Sequence, residues 1–465
     1  MRIIKPDKHT KLLRLLTGMD PRMAAKLAAA IERNRLTMEV DLPNQSILDC
    51  LRPVLREVRI PRFATPLRIF CSPFEDLLVS TVPESKQRGR ISRESILPVW
   101  NWLAEELIPD RHRELCEQIK CQILDGNDTA ARDTAITLQS EAADAIIGLV
   151  DGLDPLDKPY GALARKLGGE VHLTDAREMA TILRAAGPFL TLGERLPPRP
   201  INDLSENFVN DLKNIYDEFS GTVPDGAEYA VAMMLGRLAH PWQILRLARA
   251  FSWKSDDSLV SRTELAVVGE LLLDDVDDIV QAAKQEIDGD QLIRQLQEFV
   301  ALFDGITGEI GIRKDGDWGR RLLHARTALA AVIEHRLRTA NKAFDLAMPK
   351  QRDSRGKPDP GKPLLDADPS DDAVAAAYAM ADFMRRVRPL AKQAAVTKPL
   401  TEAFVTLENG IEIYSDRLTD ALRRGPESET NRILAFLEIA ATILERATDN
   451  EAASLIRRRS AAAVA

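Results

Sequence analysis

Apolar residues return at every third or fourth position through almost the whole of this chain, and runs of strict alternation are few. That rhythm gives each segment one apolar stripe and one wet face, the pattern of amphipathic helices. The stripes must be built mainly from Ala, Leu, Ile and Val, because aromatic residues make up only 5% of the sequence. Ala and Leu are strong helix formers. A length of 465 residues exceeds what one core usually organises. The sequence therefore predicts an all-α, multi-unit helical protein with a flexible linker before a C-terminal helical bundle.

Prolines and charge runs divide that expectation into parts. Residues 1–199 read as an N-terminal helical region with a basic head and an irregular segment near 60–90, where three prolines between Ile60 and Val82 break the helical rhythm. The stretch LPPRPIND forbids a continuing helix and marks the start of a central domain over 200–348, with one helix near 259–287 and another near 317–347. Residues 349–372 are rich in proline and charge and nearly free of apolar side chains, the composition of a flexible linker. Residues 373–465 then read as a bundle. One passage there is contested. VTLENGIEIY alternates around Asn409–Gly410, a hairpin signal. Phe404, Leu407, Ile411, Tyr414, Leu418 and Ala421 nevertheless step by three and four across it, and a lone hairpin among helices is marginal, so a helix is the reading adopted.

Charge is spread unevenly. Residues 1–93 hold 18 Lys and Arg against 10 Asp and Glu, and the remainder holds 45 against 61. A basic head on an acidic body can steer an acidic partner to one end, although a solvated face often carries the same excess. No apolar run approaches the roughly 20 residues needed to span a bilayer. The basic N-terminus is interrupted by Arg14 and lacks a small-residue cleavage site, which predicts no secretory leader and a cytoplasmic location. Cys50, Cys71, Cys116 and Cys121 lack paired zinc-site spacing and read as buried free thiols.

The sharpest motif is LLLDDVDDIV, residues 271–280. Its Asp274, Asp275 and Asp278 have the spacing of the DDxxD box, and in this the chain resembles the all-helical polyprenyl synthases. The resemblance implies magnesium-bound diphosphate on those carboxylates. The match covers about ten residues, IVQAAKQEIDGDQ follows where that family has an arginine pair, and no second box appears downstream. On a helical wheel the acids lie opposite Leu272, Leu273, Val276, Ile279 and Val280, as on a helix whose polar side meets water. Leu265–Leu273 is apolar except for Glu270, which predicts a buried half-helix. No metal ligand is assigned. GKPDPGK, residues 356–362, has the frame of a phosphate-binding loop but follows it with Pro363 and contains two prolines that lack N–H donors.

Two further groups of residues stand out. Arg326 and Arg336 fall inside the apolar arc of their helix, where an arginine either snorkels or pairs with a carboxylate of a packed neighbour, so both are assigned to an interface. His324 and His335 share the polar face and are expected in solvent. In SKQRGRISR, Lys86, Arg88, Arg90 and Arg93 precede a helix led by Ser92 or Ser95 and are the candidate anion- or partner-binding residues. No nucleophile elbow or metal-ligand spacing is present in the sequence, so no catalytic residue and no cofactor are assigned. The reading is a non-catalytic cytoplasmic interaction or scaffold protein. Its expected partner is another protein, a second copy of the chain included. One alternative is a nucleic-acid-associated regulator using the basic N-terminal region; another is a magnesium-dependent helical enzyme using the 274–278 aspartates.

Overall fold

The amphipathic stripes close into helices that bury them against one another. The structure, a computed structural model, describes residues 15–16, 18–37, 44–58, 63–80, 86–154, 156–251, 266–313, 315–352, 356, 358–366, 368–424, 427–448 and 450–464. Among these the architecture is all-α, with two minimal strand pairs. No described helix is long and apolar enough to cross a membrane. The chain packs as two units, Met1–Ile201 with Asn210–Arg237, and Asn202–Val209 with Leu238–Ala465.

In the first unit, α1 (Pro21–Thr37) and α2 (Asn44–Val58) pack as a pair around Ala24, Ala28, Leu48 and Leu51. Asp20 caps α1 by accepting from the Arg22 and Met23 amides. The segment read as irregular contains α3 (Pro66–Cys71), a 3₁₀ turn (Ser72–Leu77) and β1 (Leu78–Val79), which pairs in parallel with β2 (Ile91–Ser92). Arg68 of α3 grips Glu32 of α1 with two 2.7 Å hydrogen bonds. Helices α4 (Arg93–Trp102), α5 (Pro109–Leu124), α6 (Asp128–Val150), α7 (Lys158–Leu167) and α8 (Glu170–Arg184) follow. Then come α9 (Ala186–Arg195), α10 (Glu206–Thr222), whose first turn belongs to the second unit, and α11 (Ala227–Arg237). Helices α6 and α8 pack along each other and carry the core.

The second unit contains α12 (Ile244–Phe251), α13 (Ala266–Gln285), α14 (Gly289–Glu309) and α15 (Asp317–Ala347), then α16 (Asp371–Val387), α17 (Thr397–Arg424), α18 (Thr430–Ala447) and α19 (Asn450–Val464). The 31-residue α15 packs along α13, α16 and α17. Of the helices expected in a central domain over 200–348, α11 and most of α10 lie in the first unit, whereas α12 to α15 lie in one unit with the helices expected as a separate C-terminal bundle. Helix α17 runs unbroken through Asn409–Gly410 and buries Leu407, Ile411, Tyr414 and Leu418, the seam that the three-and-four spacing predicts. The expected start of α13 at 259–265 lies outside the described residues. Its apolar half is buried at Val268, Leu271, Leu272 and Leu273.

The stretch read as a linker carries secondary structure. β3 (Lys350–Arg352) and β4 (Pro358–Pro363) pair antiparallel with an irregular register, and β4 packs on α17. Proline fixes an extended backbone and is tolerated at a sheet edge, so a proline-rich text pairs as strand where a helix is forbidden. Arg432 of α18 fastens the segment by donating to Leu365 O and to Asp368. The GKPDPGK frame becomes this strand, with Asp359 accepting from the Gly361 amide; residues 353–355 and 357 lie outside the described residues.

Candidate functional site

Helix α8 has two different faces. Thr174, Arg177, Thr181 and Arg184, spaced three, four and three apart, project on one side toward a cleft. On the inner side Asp175 and Glu178 sit among Leu173, Ala176, Met179 and Ile182, nearly all of them fully buried. A buried carboxylate must find donors. It finds them in the basic stretch.

Lys86 Nζ lies 2.8 Å from Asp175 Oδ1 and 2.8 Å from Glu178 Oε2, and also donates to the carbonyls of Gln87 and Arg90. The Gly89 amide donates to Glu178 Oε2 at 3.3 Å. Gly89 adopts φ +77°, and a Cβ there would stand 2.9 Å from Ala232 Cβ, so this turn requires glycine for both conformation and space. Asp175 Oδ2 accepts from the Ser92 amide at 3.0 Å and from the Ser95 hydroxyl at 2.5 Å. Ser92, as its place before α4 predicts, is the N-cap, accepting from the Glu94 amide. Burial pushes the Glu178 carboxyl up, with Lys86 pulling the other way.

Ser95 Oγ is also 2.5 Å from His172 Nδ1. With its single proton given to Asp175, Ser95 accepts from the imidazole. A serine, a histidine and an aspartate thus meet, but in the wrong order for acyl transfer. In that chemistry the carboxylate orients the imidazole and the imidazole faces an open hydroxyl. Here the hydroxyl lies between the other two and is fully buried. The cluster fastens α4 and the 86–92 turn to α8.

The four basic candidates therefore part company. Lys86 and Arg88 border the cleft, of about 710 Å³, together with Arg177, Arg184 and Tyr229; Arg90 and Arg93 do not. Arg88 is paired with Glu228 at 2.6 Å, and Arg93 with Glu75 at 3.3 Å. Burial, ahead of nearby charge, pushes the Tyr229 hydroxyl up to about 12. The sequence reading did not single out Asp175, Glu178, His172 or the two α8 arginines. A signal existed, since Asp175 falls within about 40° of both Met179 and Ile182 on the wheel, and Glu178 within about 40° of Ile182, at an apolar arc.

In the second unit, the aspartate box faces an arginine. Arg321 of α15 donates to Glu270 at 3.0 Å, to Asp277 at 2.6 Å and to Asp274. The acidic face meets water, as expected, and along its 274–277 edge it is also paired with Arg321. Trp318 Nε1 donates to Glu270 at 2.8 Å, and the Trp318 ring lies so close over Gly269 that a Cβ there would fall 1.9 Å from it. Arg326 donates to the carbonyls of Gln393 and Lys392 and covers the Phe303 ring. Arg336 donates to Ile287 O and covers Phe383. Both join elements of the same unit, through carbonyls and aromatic faces where carboxylates were expected. His324 and His335 are exposed, as read, whereas His112 is buried against Trp100. Among the described residues the cysteines form no disulfide, with Cys50 and Cys71 buried and Cys121, contrary to expectation, exposed. Among the described residues no group of three or more His, Cys, Asp or Glu side chains is arranged to hold a metal ion.

Comparison with known families, curated proteins and solved structures yields no match.

Proposed function

We propose that the protein is a non-catalytic interaction protein of the cytoplasm, a helical scaffold that works by holding a partner protein, a second copy of itself included. The observation that supports this reading is the commitment of its convergent polar groups to internal partners. Lys86, Ser95 and Arg321 each stand among two or more groups that use up their hydrogen-bonding capacity. Nucleophilic thiol chemistry needs a thiolate. Burial pushes the Cys71 thiol up, and pushes the Cys116 thiol to about 12. A reaction centre keeps nucleophile and base within reach of a substrate, whereas Ser95 and Asp175 are fully buried.

The test is photo-crosslinking in cells, with a photoreactive residue placed in the full chain at Leu97, Leu346 or Arg184, and at Arg113 as a control. Discrete protein adducts at one or more of the first three positions, absent at Arg113, support the reading. Adducts of equal yield at every position, or none at all, would overturn it.

A further inference from the structure

We infer that the cleft between α8 and the 223–229 turn is a binding site for a small organic polyanion, held at its phosphate or carboxylate groups by Arg88, Arg177 and Arg184. The proposal rests on the first unit alone and goes beyond the interaction reading.

Three guanidinium groups reach this cleft from two sides. Arg177 and Arg184 are seven residues apart on one face of α8, about 10 Å along the axis, with Thr181 between them, its hydroxyl donating to Arg177 O. Arg88 enters from the turn that Gly89 and Lys86 hold in place. Each arginine has a carboxylate neighbour: Arg88 with Glu228, Arg177 with Asp151 at 3.0 Å, and Arg184 with Asp144 at 3.1 Å. In all three pairs the arginine side chain is half or more exposed. Such pairs contribute little in water and exchange readily. A ligand bringing two or more anionic groups offers each fork a charged, planar or tetrahedral oxygen partner in bidentate geometry.

The floor differs from the rim. Lys86, the remaining cation of the lining, is already bound by Asp175 and Glu178. Of these two carboxylates only Glu178 lines the cleft, and it gives the floor an acceptor suited to a hydroxyl or amine donor on the ligand and unsuited to a bare inorganic anion pressed inward. Asp225 and Asp151 add carboxylates at the edge. The complementary molecule carries its charge at its ends, toward the rim, and a donor at its middle. A volume of about 710 Å³ suits a metabolite-sized molecule.

The experiment is calorimetric titration of the full chain at low ionic strength with two probes, inorganic pyrophosphate and citrate, the second carrying carboxylates and a central hydroxyl. The variants are R177A/R184A, R88A, and the control R113A/R132A, which removes the same charge elsewhere on the same unit; circular dichroism melts confirm that each folds. The expected result is saturable binding of at least one probe, weakened about tenfold or more in R177A/R184A and less in R88A, and unchanged in the control. Preference for citrate would assign the site to carboxylates, and preference for pyrophosphate to phosphates. No binding of either probe, or equal weakening in the control, would overturn the proposal.

Discussion

Both units place one cation among carboxylates, and they do it in opposite surroundings. In the first, Lys86 bridges Asp175 and Glu178, which are 1% and 8% exposed. In the second, Arg321 meets Glu270, Asp274 and Asp277, which are 53%, 26% and 38% exposed. The hydrogen bonds look alike, but water does not. Taking one partner from a buried cluster strands a charge that solvent cannot reach, whereas an exposed charge rehydrates. The first cluster therefore fixes where the 86–95 segment lies and so shapes one wall of the cleft; the second decorates a contact that apolar packing already secures.

Four substitutions sharpen the contrast. Lys86→Ala should lower the opening free energy of α8 amides by about 3–5 kcal/mol, read by native-state hydrogen exchange. Gly269→Ala tests what does hold α13 to α15. It should cost about 1–3 kcal/mol or more, because the Trp318 ring occupies the space of the new methyl, and α13 amides should report the loss. Arg321→Ala should cost about 1 kcal/mol at most on the same α13 amides, with the difference from the parent shrinking as salt is added.

The smallest effect concerns pH. Burial lowers the His112 pKa below its ordinary 6.5. As pH falls below that value, the unfolded chain takes up the proton before the folded one does, so stability declines from about pH 6.5 downward until the folded pKa is reached. His112→Phe should flatten the melting temperature across that window, and an unchanged slope would remove His112 from the account.

The helical class and the course of α17 were legible because a 3.6-residue rhythm is local, and it outweighed the Asn-Gly signal once Leu407, Ile411, Tyr414 and Leu418 were counted together. The strand pairing within 349–372 was not legible for the opposite reason. Composition reports what cannot form a core, but strand pairing of Lys350 with Pro363 needs only extended backbone and a helix to lie on. The cluster around Asp175 joins residues about eighty positions apart, and no spacing rule brings Ser95 to His172. Arg326 and Arg336 were found from their place in an apolar arc, and the same test applied to α8 marks Asp175 and Glu178. What the wheel does not supply is the partner. It put the 270–274–277 edge at the surface without revealing Arg321 across from it.

The most direct measurement is a pair of double-mutant cycles, Lys86→Met with Glu178→Gln and Arg321→Met with Asp277→Asn, each followed by hydrogen exchange of α8 and α13 amides respectively. A coupling of about 2 kcal/mol or more for the first pair and under about 0.5 kcal/mol for the second is the result predicted. Equal couplings, or a larger one at Arg321, would contradict the claim that the buried cluster is what builds the wall of the cleft.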